Sequence, residues 1–465
     1  MTGEQIQSVQ GALATFLKRF KHCFKRIESF GHFYDYVIGL VADLSRKNVE
    51  RIALFRGVPV RTLQEFLAFF AWDHECAEKT VRLMVADEHG GDEGIGVIDA
   101  SAHPKAGDKT PGVKRQYCGA EGKIDNCVVG VHLLYTTNDP DNPFSAVLAS
   151  DLFLPEDWSA DRKRCREAGI PDDLVHRPKW QIALEQVKGA LRSGIQFRWI
   201  TFDEEFGRPT AFWFELDQLG QQAVGEVPAN FRCWPKRPWY RSHNPAHASK
   251  TVENVCRHSP LFTKKTWKRV KIKDVTRGEC VWEVKAARVH LVDASTRSCP
   301  RPTDRRYWLI LARNVLTGEV KYFVSNAPAR TRLEDMLKAA FARWHVEKWF
   351  ERAKQETGFG DFEVRTYTSL IRHWLCARIA MLFLAAETTR LRGEKSGDHL
   401  RAGGRGGPPP DHECVVSITA DAGESLAAVQ LLSVAECGLL REPTEDRGAA
   451  TPSNARRHVI AHREH

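Results

Sequence analysis

Apolar side chains recur at helical spacing over residues 6 to 27, with Lys18, Arg19, Lys21, Lys25 and Arg26 on the polar side. That pattern predicts one amphipathic helix. A second helical run, Val49-Glu-Arg-Ile-Ala-Leu-Phe55, stops where Gly57-Val-Pro-Val-Arg61 breaks the period. Thr62-Leu-Gln-Glu65 then has the form of a capping box opening the next helix. Residues 1–90 are therefore expected to form a helical N-terminal domain. Helix, glycine turn, capped helix is the outline of a DNA-binding helix-turn-helix, an outline that unrelated helical pairs share.

The period changes after residue 90. Gly94-Ile-Gly-Val-Ile-Asp99 is a short apolar run ending in an acid, and residues 126–135 and 144–154 are strand-like. Thr137-Asn-Asp-Pro-Asp-Asn-Pro143 separates the last two as a turn. These runs predict three antiparallel strands in sequence. A helix over 180–192, a strand over 197–203 and another over 221–227 follow, so 91–228 reads as a mixed sheet with helices on its faces. Residues 229–325 concentrate Pro, Arg, Lys and Trp in 233–241 and 264–273, then show strand patterns at 280–291 and 306–313. That span is expected to be an all-β insertion. Residues 326–392 return to helical spacing, and 393–465, with Gly403-Gly-Arg-Gly-Gly-Pro-Pro-Pro410 and a late basic Arg456-Arg-His458, read as a poorly ordered tail.

Composition narrows the function classes. Over 465 residues, 68 Lys and Arg exceed 59 Asp and Glu, and the net charge of +9 fits a polyanionic partner. Without a run of eighteen or more apolar residues or a signal-like N-terminus, the chain is expected to be soluble, cytoplasmic and nucleoid-associated, with no membrane partner. The 12 cysteines are scattered with no CxxC pair, so a zinc ribbon is not expected and most read as reduced and structural.

The candidate chemistry lies in three acids. Asp99 and Asp203, the latter ending Phe197-Arg-Trp-Ile-Thr-Phe-Asp203, each close an apolar strand run, where sites usually form. In Arg343-Trp-His-Val-Glu-Lys-Trp-Phe-Glu-Arg-Ala-Lys354, helical spacing puts Arg343, Glu347 and Lys354 on one face and leaves Trp344, Trp349 and Phe350 to anchor the helix. A carboxylate between two cations suits metal-assisted phosphoryl transfer, with the acid on the metal and the cations on phosphate oxygens. Taken alone, the same helix also reads as an exposed face with i,i+4 ion pairs. Glu204, Glu205 and Glu351 compete with the three acids by proximity. Basic residues interleaved with aromatics around Lys264, Lys265 and Trp267 suit a surface that grips phosphates and stacks on bases, or a solvated charged face.

Together these motifs resemble the bacterial insertion-sequence transposases of the DDE type. Arg343, Glu347 and Lys354 match the Arg, Glu and Lys of that group's Tyr-Arg-Glu-Lys signature, and the surroundings of Asp99 and Phe202-Asp-Glu-Glu-Phe-Gly207 look like its first two catalytic blocks. Gly358-Phe-Gly-Asp-Phe-Glu-Val-Arg365 with Arg372-His373 is similar to the segment on the C-terminal side of that group's catalytic Glu. The resemblance covers roughly residues 30–390 and implies a mixed α/β chain: an RNase H-like catalytic core (91–228 and 326–392), the all-β insertion and the helical N-terminal domain. It favours Glu347 over Glu351 as the third acid. The signature Tyr would fall at position 340, where this chain has Ala340.

The implied chemistry is cleavage and rejoining of DNA at the ends of a mobile element. Two Mg²⁺ (or Mn²⁺) ions, roughly 3.5–4 Å apart, would serve phosphodiester hydrolysis and strand transfer. Such hard cations prefer carboxylates, so Asp99, Asp203 and Glu347 would be the metal ligands, with Arg343 and Lys354 on the flanking phosphates. The expected partner is double-stranded DNA, both terminal inverted repeats and target, bound by a homodimer. Two other classes stay open: a catalytically inactive transposase-derived DNA-binding protein, and a glycosidase with separated carboxylates. The second would leave the Arg and Lys framing of Glu347 without a purpose.

Overall fold

The computed structural model describes residues 3–137, 139, 143–237, 248–275, 278–293 and 301–402. Parts of the 137–143 turn and of the 233–241 basic segment, and the Gly/Pro and Arg456–His458 stretches of the tail, lie outside the described residues. The chain opens with α1 (Gly3–Lys18), a 3-10 turn (Lys21–Cys23), α2 (Ile27–Val41), α3 (Val49–Arg56), α4 (Val60–Ala68) and α5 (His74–His89). The single helix expected over 6–27 is interrupted. Phe24 turns extended to bridge Trp72, and its ring stacks on that indole at 5.1 Å, so tertiary pairing overrides the helical period. The capping box at Thr62 does not form either. Asn48 caps α3, Gly57 closes it in the left-handed region, and Pro59 stands at the N-cap of α4, which puts Thr62 inside the first turn.

Next come β1 (Ile95–Pro104), β2 (Lys114–Cys118), β3 (Lys123–Thr136), β4 (Ser145–Leu152), α6 (Glu156–Ala160), α7 (Arg162–Glu167), α8 (Lys179–Arg192), β5 (Trp199–Phe202), α9 (Glu204–Gly207), α10 (Thr210–Gln218) and β6 (Ala223–Val227). Strand β3 pairs antiparallel with β1 on one side and with β4 on the other, while β5 lies parallel to β1 and β6 parallel to β5. The order β4-β3-β1-β5-β6, with helical crossovers before each parallel strand, is the RNase H-like core of a mixed α/β fold. Within residues 91–228 one strand was not legible in the sequence: β2, a hairpin partner of the first half of β3.

Asp99 does not end its strand. β1 continues to Pro104 because β3 pairs with all of it, from Ile95↔Thr136 to Pro104↔Cys127. What ends at Asp99 is the parallel pairing, since Ile98↔Phe202 is the last β1–β5 pair.

The insertion comprises β7 (Arg232–Trp234), β8 (Lys250–Thr251), α11 (Val252–His258), α12 (Pro260–Thr263), β9 (Lys268–Val275), β10 (Gly278–Asp293), β11 (Arg301–Pro302), β12 (Tyr307–Asn314) and β13 (Val320–Ser325). It is not all-β, because Thr251 and Ser259 cap two short helices. Its strands also extend the core sheet: β13 pairs antiparallel with β6, β12 with β13, and β10 with β12.

The chain then enters α13 (Leu333–Phe341), α14 (Trp344–Glu356) and α15 (Tyr367–Ala402). Helix α15 crosses residue 393, where the tail was expected to begin. Tyr367–Arg390, although interrupted by Arg372, His373 and Arg378, is long and apolar enough on average to cross a membrane by length and composition. Yet 89 % of its most apolar stretch is buried, and it packs on α2 and β4 as the central helix of the core. Arg372 on it donates to the carbonyls of Phe66, Leu67 and Trp72, and His373 joins the Tyr36 hydroxyl to the Gly358 carbonyl. The N-terminal helices are thereby fastened beneath α14.

Candidate active site

Adjacent strands deliver the two aspartates. Asp99 follows Ile98 within β1 and Asp203 follows Phe202 at the end of β5, and Ile98 and Phe202 are register partners, so both acids stand at the level where the parallel pairing stops. The Asp203 side chain caps α9, its Oδ1 accepting from Glu205 N at 3.0 Å and Phe206 N at 3.4 Å. Gly207 completes that turn because α9 presses on β6: a Cβ there would lie 1.9 Å from the Glu226 carbonyl oxygen.

Helix α14 brings the third acid. Val346, Trp349, Phe350 and Ala353 form its buried face. Phe350 packs edge-on against His132 at 5.0 Å, and His132 is the cross-strand partner of Asp99. Glu347 precedes Phe350 by three residues, so the aromatic anchor holds it on the side of the sheet that carries Asp99. Trp344, expected in that anchor, is only half-buried. Gly358, at φ +57°, ends the segment where a Cβ would meet Lys47 Cβ at 2.5 Å. Arg343 is the N-cap of α14 and still helical in φ and ψ, which preserves the predicted spacing.

Arg343 connects the acids. Its Nη1 donates to Asp99 Oδ2 at 3.4 Å and its Nη2 to Glu347 Oε1 at 2.5 Å. Burial raises the Asp99 carboxyl to about 7, and the neighbouring Asp203 adds to the effect against the opposing pull of Arg343. Burial likewise raises Asp203, with Glu205 adding repulsion. Arg343 is shifted upward: burial opposes its charge, and Asp99 and Glu347 more than offset that. Acids that resist ionising beside one another, with a guanidinium between two of them, mark a site with surplus negative charge. Hard oxygen donors of that kind suit a divalent cation such as Mg²⁺ or Mn²⁺.

Two of the three competing acids have lysine partners, and Glu204 is exposed. Glu351 pairs with Lys348 at 2.7 Å, and Glu205 with Lys179 at 2.6 Å. Lys354 is half-buried below Glu347, its pKa lowered by burial against the pull of the Cys118 thiol and Asp99. Position 340 cannot present a group to the site, because Ala340 is buried in α13. Sequence reasoning passed over Lys105, which sits on the Phe362 ring at 3.6 Å, donates to the Gly360 carbonyl at 2.7 Å and is shifted down to about 8 by burial. Its signal was its place just past β1, six residues after Asp99.

Lys264, Lys265 and Trp267 belong to the insertion, and their contacts are not with the acids. Lys265 donates to the Ala286 carbonyl, and the Trp267 ring contacts Lys285 at 4.7 Å and Arg313 at 4.5 Å. Lys264 is exposed.

A family model described as DDE superfamily endonuclease matches residues 19–279, more than half of the chain. The match includes Asp99 and Asp203 and stops before Glu347, whose place is given by the geometry above. A probable transposase for insertion sequence element IS701 from Microchaete diplosiphon is 37 % identical over 214 residues, 45 % of this chain and 52 % of that protein. The similarity spans about half the length of that relative.

Proposed function

The chain belongs to the DDE superfamily of endonucleases, and from that premise we propose that it is a DNA transposase cutting and rejoining the ends of an insertion sequence. The reading rests on one observation: Asp99 and Asp203 end the pairing of adjacent parallel strands, and Arg343 ties Glu347 to Asp99. The 37 % identical relative, a probable transposase, supports it.

Asp99, Asp203 and Glu347 would hold Mg²⁺ or Mn²⁺, which supplies an activated water or 3′-hydroxyl and neutralises charge on the leaving oxygen. The remaining work falls to the chain itself. Arg343 presents a planar fork that grips two phosphate oxygens beside the scissile bond, and Lys354 adds a single charge on the same helix face. Lys264, Lys265 and Trp267 extend the grip along the duplex, and terminal repeats and target DNA are the substrates of a homodimer at the nucleoid.

Nicking of a supercoiled plasmid tests the reading. Wild-type protein with Mg²⁺ should nick and Asp99→Ala should not, while both bind DNA. Binding without nicking by the wild type would return the chain to an inactive DNA-binding protein.

A further inference from the structure

Away from the acids, the N-terminal helices bring two cysteines and a histidine to one point. His22 and Cys23 lie on the 3-10 turn after α1, and Cys76 lies in the first turn of α5 with Thr80 one turn on. Cys23 Sγ is 2.8 Å from Cys76 Sγ and 3.6 Å from His22 Nε2. Thr80 Oγ1 stands 3.3 Å from the same His22 Nε2 and 3.9 Å from Cys23 Sγ. The sulfurs and the imidazole nitrogen all lie within 4.8 Å of one another.

The backbone holds this cluster together on its own. Asp73 N donates to the Cys23 carbonyl at 3.0 Å, Phe24 bridges Trp72, and Asp73 Oδ1 accepts from Cys76 N at 2.8 Å. Cys23 is buried, Cys76 is half-buried and His22 is exposed, so the donors converge at the edge of the core with an open side. A disulfide between the cysteines would use neither the imidazole nor the hydroxyl that face them.

We propose that His22, Cys23 and Cys76 form a binding site for Zn²⁺ that staples the turn after α1 to α5. Two thiolates and an imidazole are the donors this borderline cation takes, at about 2.3 Å to sulfur and 2.0–2.1 Å to nitrogen. Tetrahedral angles at those lengths need the sulfurs about 3.7 Å apart, an opening of about 1 Å that rotation of the half-buried Cys76 side chain provides. Binding converts two thiols to thiolates and releases their two protons to solvent, and water fills the fourth position. The donors are soft where the acid site is hard, so the two sites sort different metals. The staple would join the first helix to the one that leads into the strand of Asp99.

The test uses the full chain, reduced, stripped with chelator, reloaded with Zn²⁺ and desalted. Metal content measured by plasma mass spectrometry should approach one zinc per chain, with the melting temperature raised by about 5 °C. Cys76→Ser and His22→Ala should each lose most of that zinc and of the thermal shift while keeping the wild-type circular dichroism. His22 is exposed, so its replacement leaves the core untouched. Asp99→Asn should retain the zinc, which separates this site from the acids. Zinc bound equally by wild type and both cluster variants overturns the proposal, as does a chain isolated with Cys23 and Cys76 oxidised to each other and unable to take zinc after reduction.

Discussion

Arg343 reaches Asp99 across the sheet at 3.4 Å while holding Glu347, one turn along its own helix, at 2.5 Å. An isolated exposed pair of this kind would contribute little. Here the guanidinium is only 24 % exposed and Asp99 15 %, so the bridge couples α14 to the central strand where surplus negative charge collects. The same fork is available to phosphate when other cations neutralise the acids.

That arrangement makes Arg343→Lys informative. Lysine keeps the charge and loses the planar fork, so DNA cleavage should fall about 10²-fold, as misplacement of a reacting group does. Divalent-ion affinity, measured by calorimetry on the same sample, should stay near the wild-type value. An unchanged cleavage rate would reduce Arg343 to an ion-pair partner.

Amide substitution separates the acids from their neighbours. Asp99→Asn, Asp203→Asn and Glu347→Gln should each lower Mg²⁺-dependent nicking by at least about 10²-fold, because each removes a charged ligand with little change in shape. Glu351→Gln should stay close to wild type, since Glu351 points to Lys348. Loss of nicking in Glu351→Gln with survival in Glu347→Gln would move the third ligand one turn along α14.

How much of this site was legible depended on whether local pattern or distant pairing decided it. Asp99 and Asp203 stood out because an apolar run followed by an acid marks where burial meets a loop. That β1 runs on past Asp99 is a property of β3, which no local pattern of β1 reports. Helical spacing could not choose between Glu347 and Glu351; in the structure Arg343 ties Glu347 to Asp99, while Glu351 pairs with Lys348. Thr62 and Trp344 had the residue types of a cap and an anchor, but the fixed φ of Pro59 and the packing of Trp349 and Phe350 took those roles. His132, which links Asp99 to α14, was hidden inside an apolar strand run.

Acid should weaken the fold through buried histidines. His373 is held near 4, chiefly by burial, with Lys105 adding to the effect. Its neutral ring suits its partners, accepting from the Tyr36 hydroxyl at Nδ1 and donating to the Gly358 carbonyl at Nε2. The folded pKa lies below the unfolded value of 6.5, so the unfolded chain binds more protons between them. Stability is complete above pH 6.5 and is lost as the pH falls toward 4, by about 3 kcal/mol at most from this one residue. Urea denaturation at pH 7 and pH 5 should show the drop, and His373→Gln should shrink it. His103 and His132, also buried and shifted down, keep part of it in place. Asp99, raised to about 7, acts in the opposite sense over the same range, so the comparison with the variant carries the test: a change from pH 7 to pH 5 that is the same in His373→Gln as in wild type would contradict the buried neutral ring.

DNA affinity should fall steeply with salt, since each lysine or arginine on a phosphate releases counterions, and the insertion offers a way to apportion that slope. Lys264 is exposed, whereas Lys265 is tied to the Ala286 carbonyl and Trp267 is held by ring contacts with Lys285 and Arg313. If Lys264 meets a phosphate, Lys264→Gln should reduce the slope of log affinity against log salt by about 0.9 and weaken all duplex sequences alike. Trp267→Ala should act differently. It removes the ring that both Lys285 on β10 and Arg313 on β12 contact, so losing the two cation–π contacts should loosen β10 against β12 and lower thermal stability as well as affinity. Fluorescence anisotropy on a labelled duplex at several salt concentrations, with melting curves for each variant, reads both effects. A slope unchanged in Lys264→Gln takes that residue off the DNA path and leaves the Arg343 and Lys354 face of α14 as the principal phosphate contact.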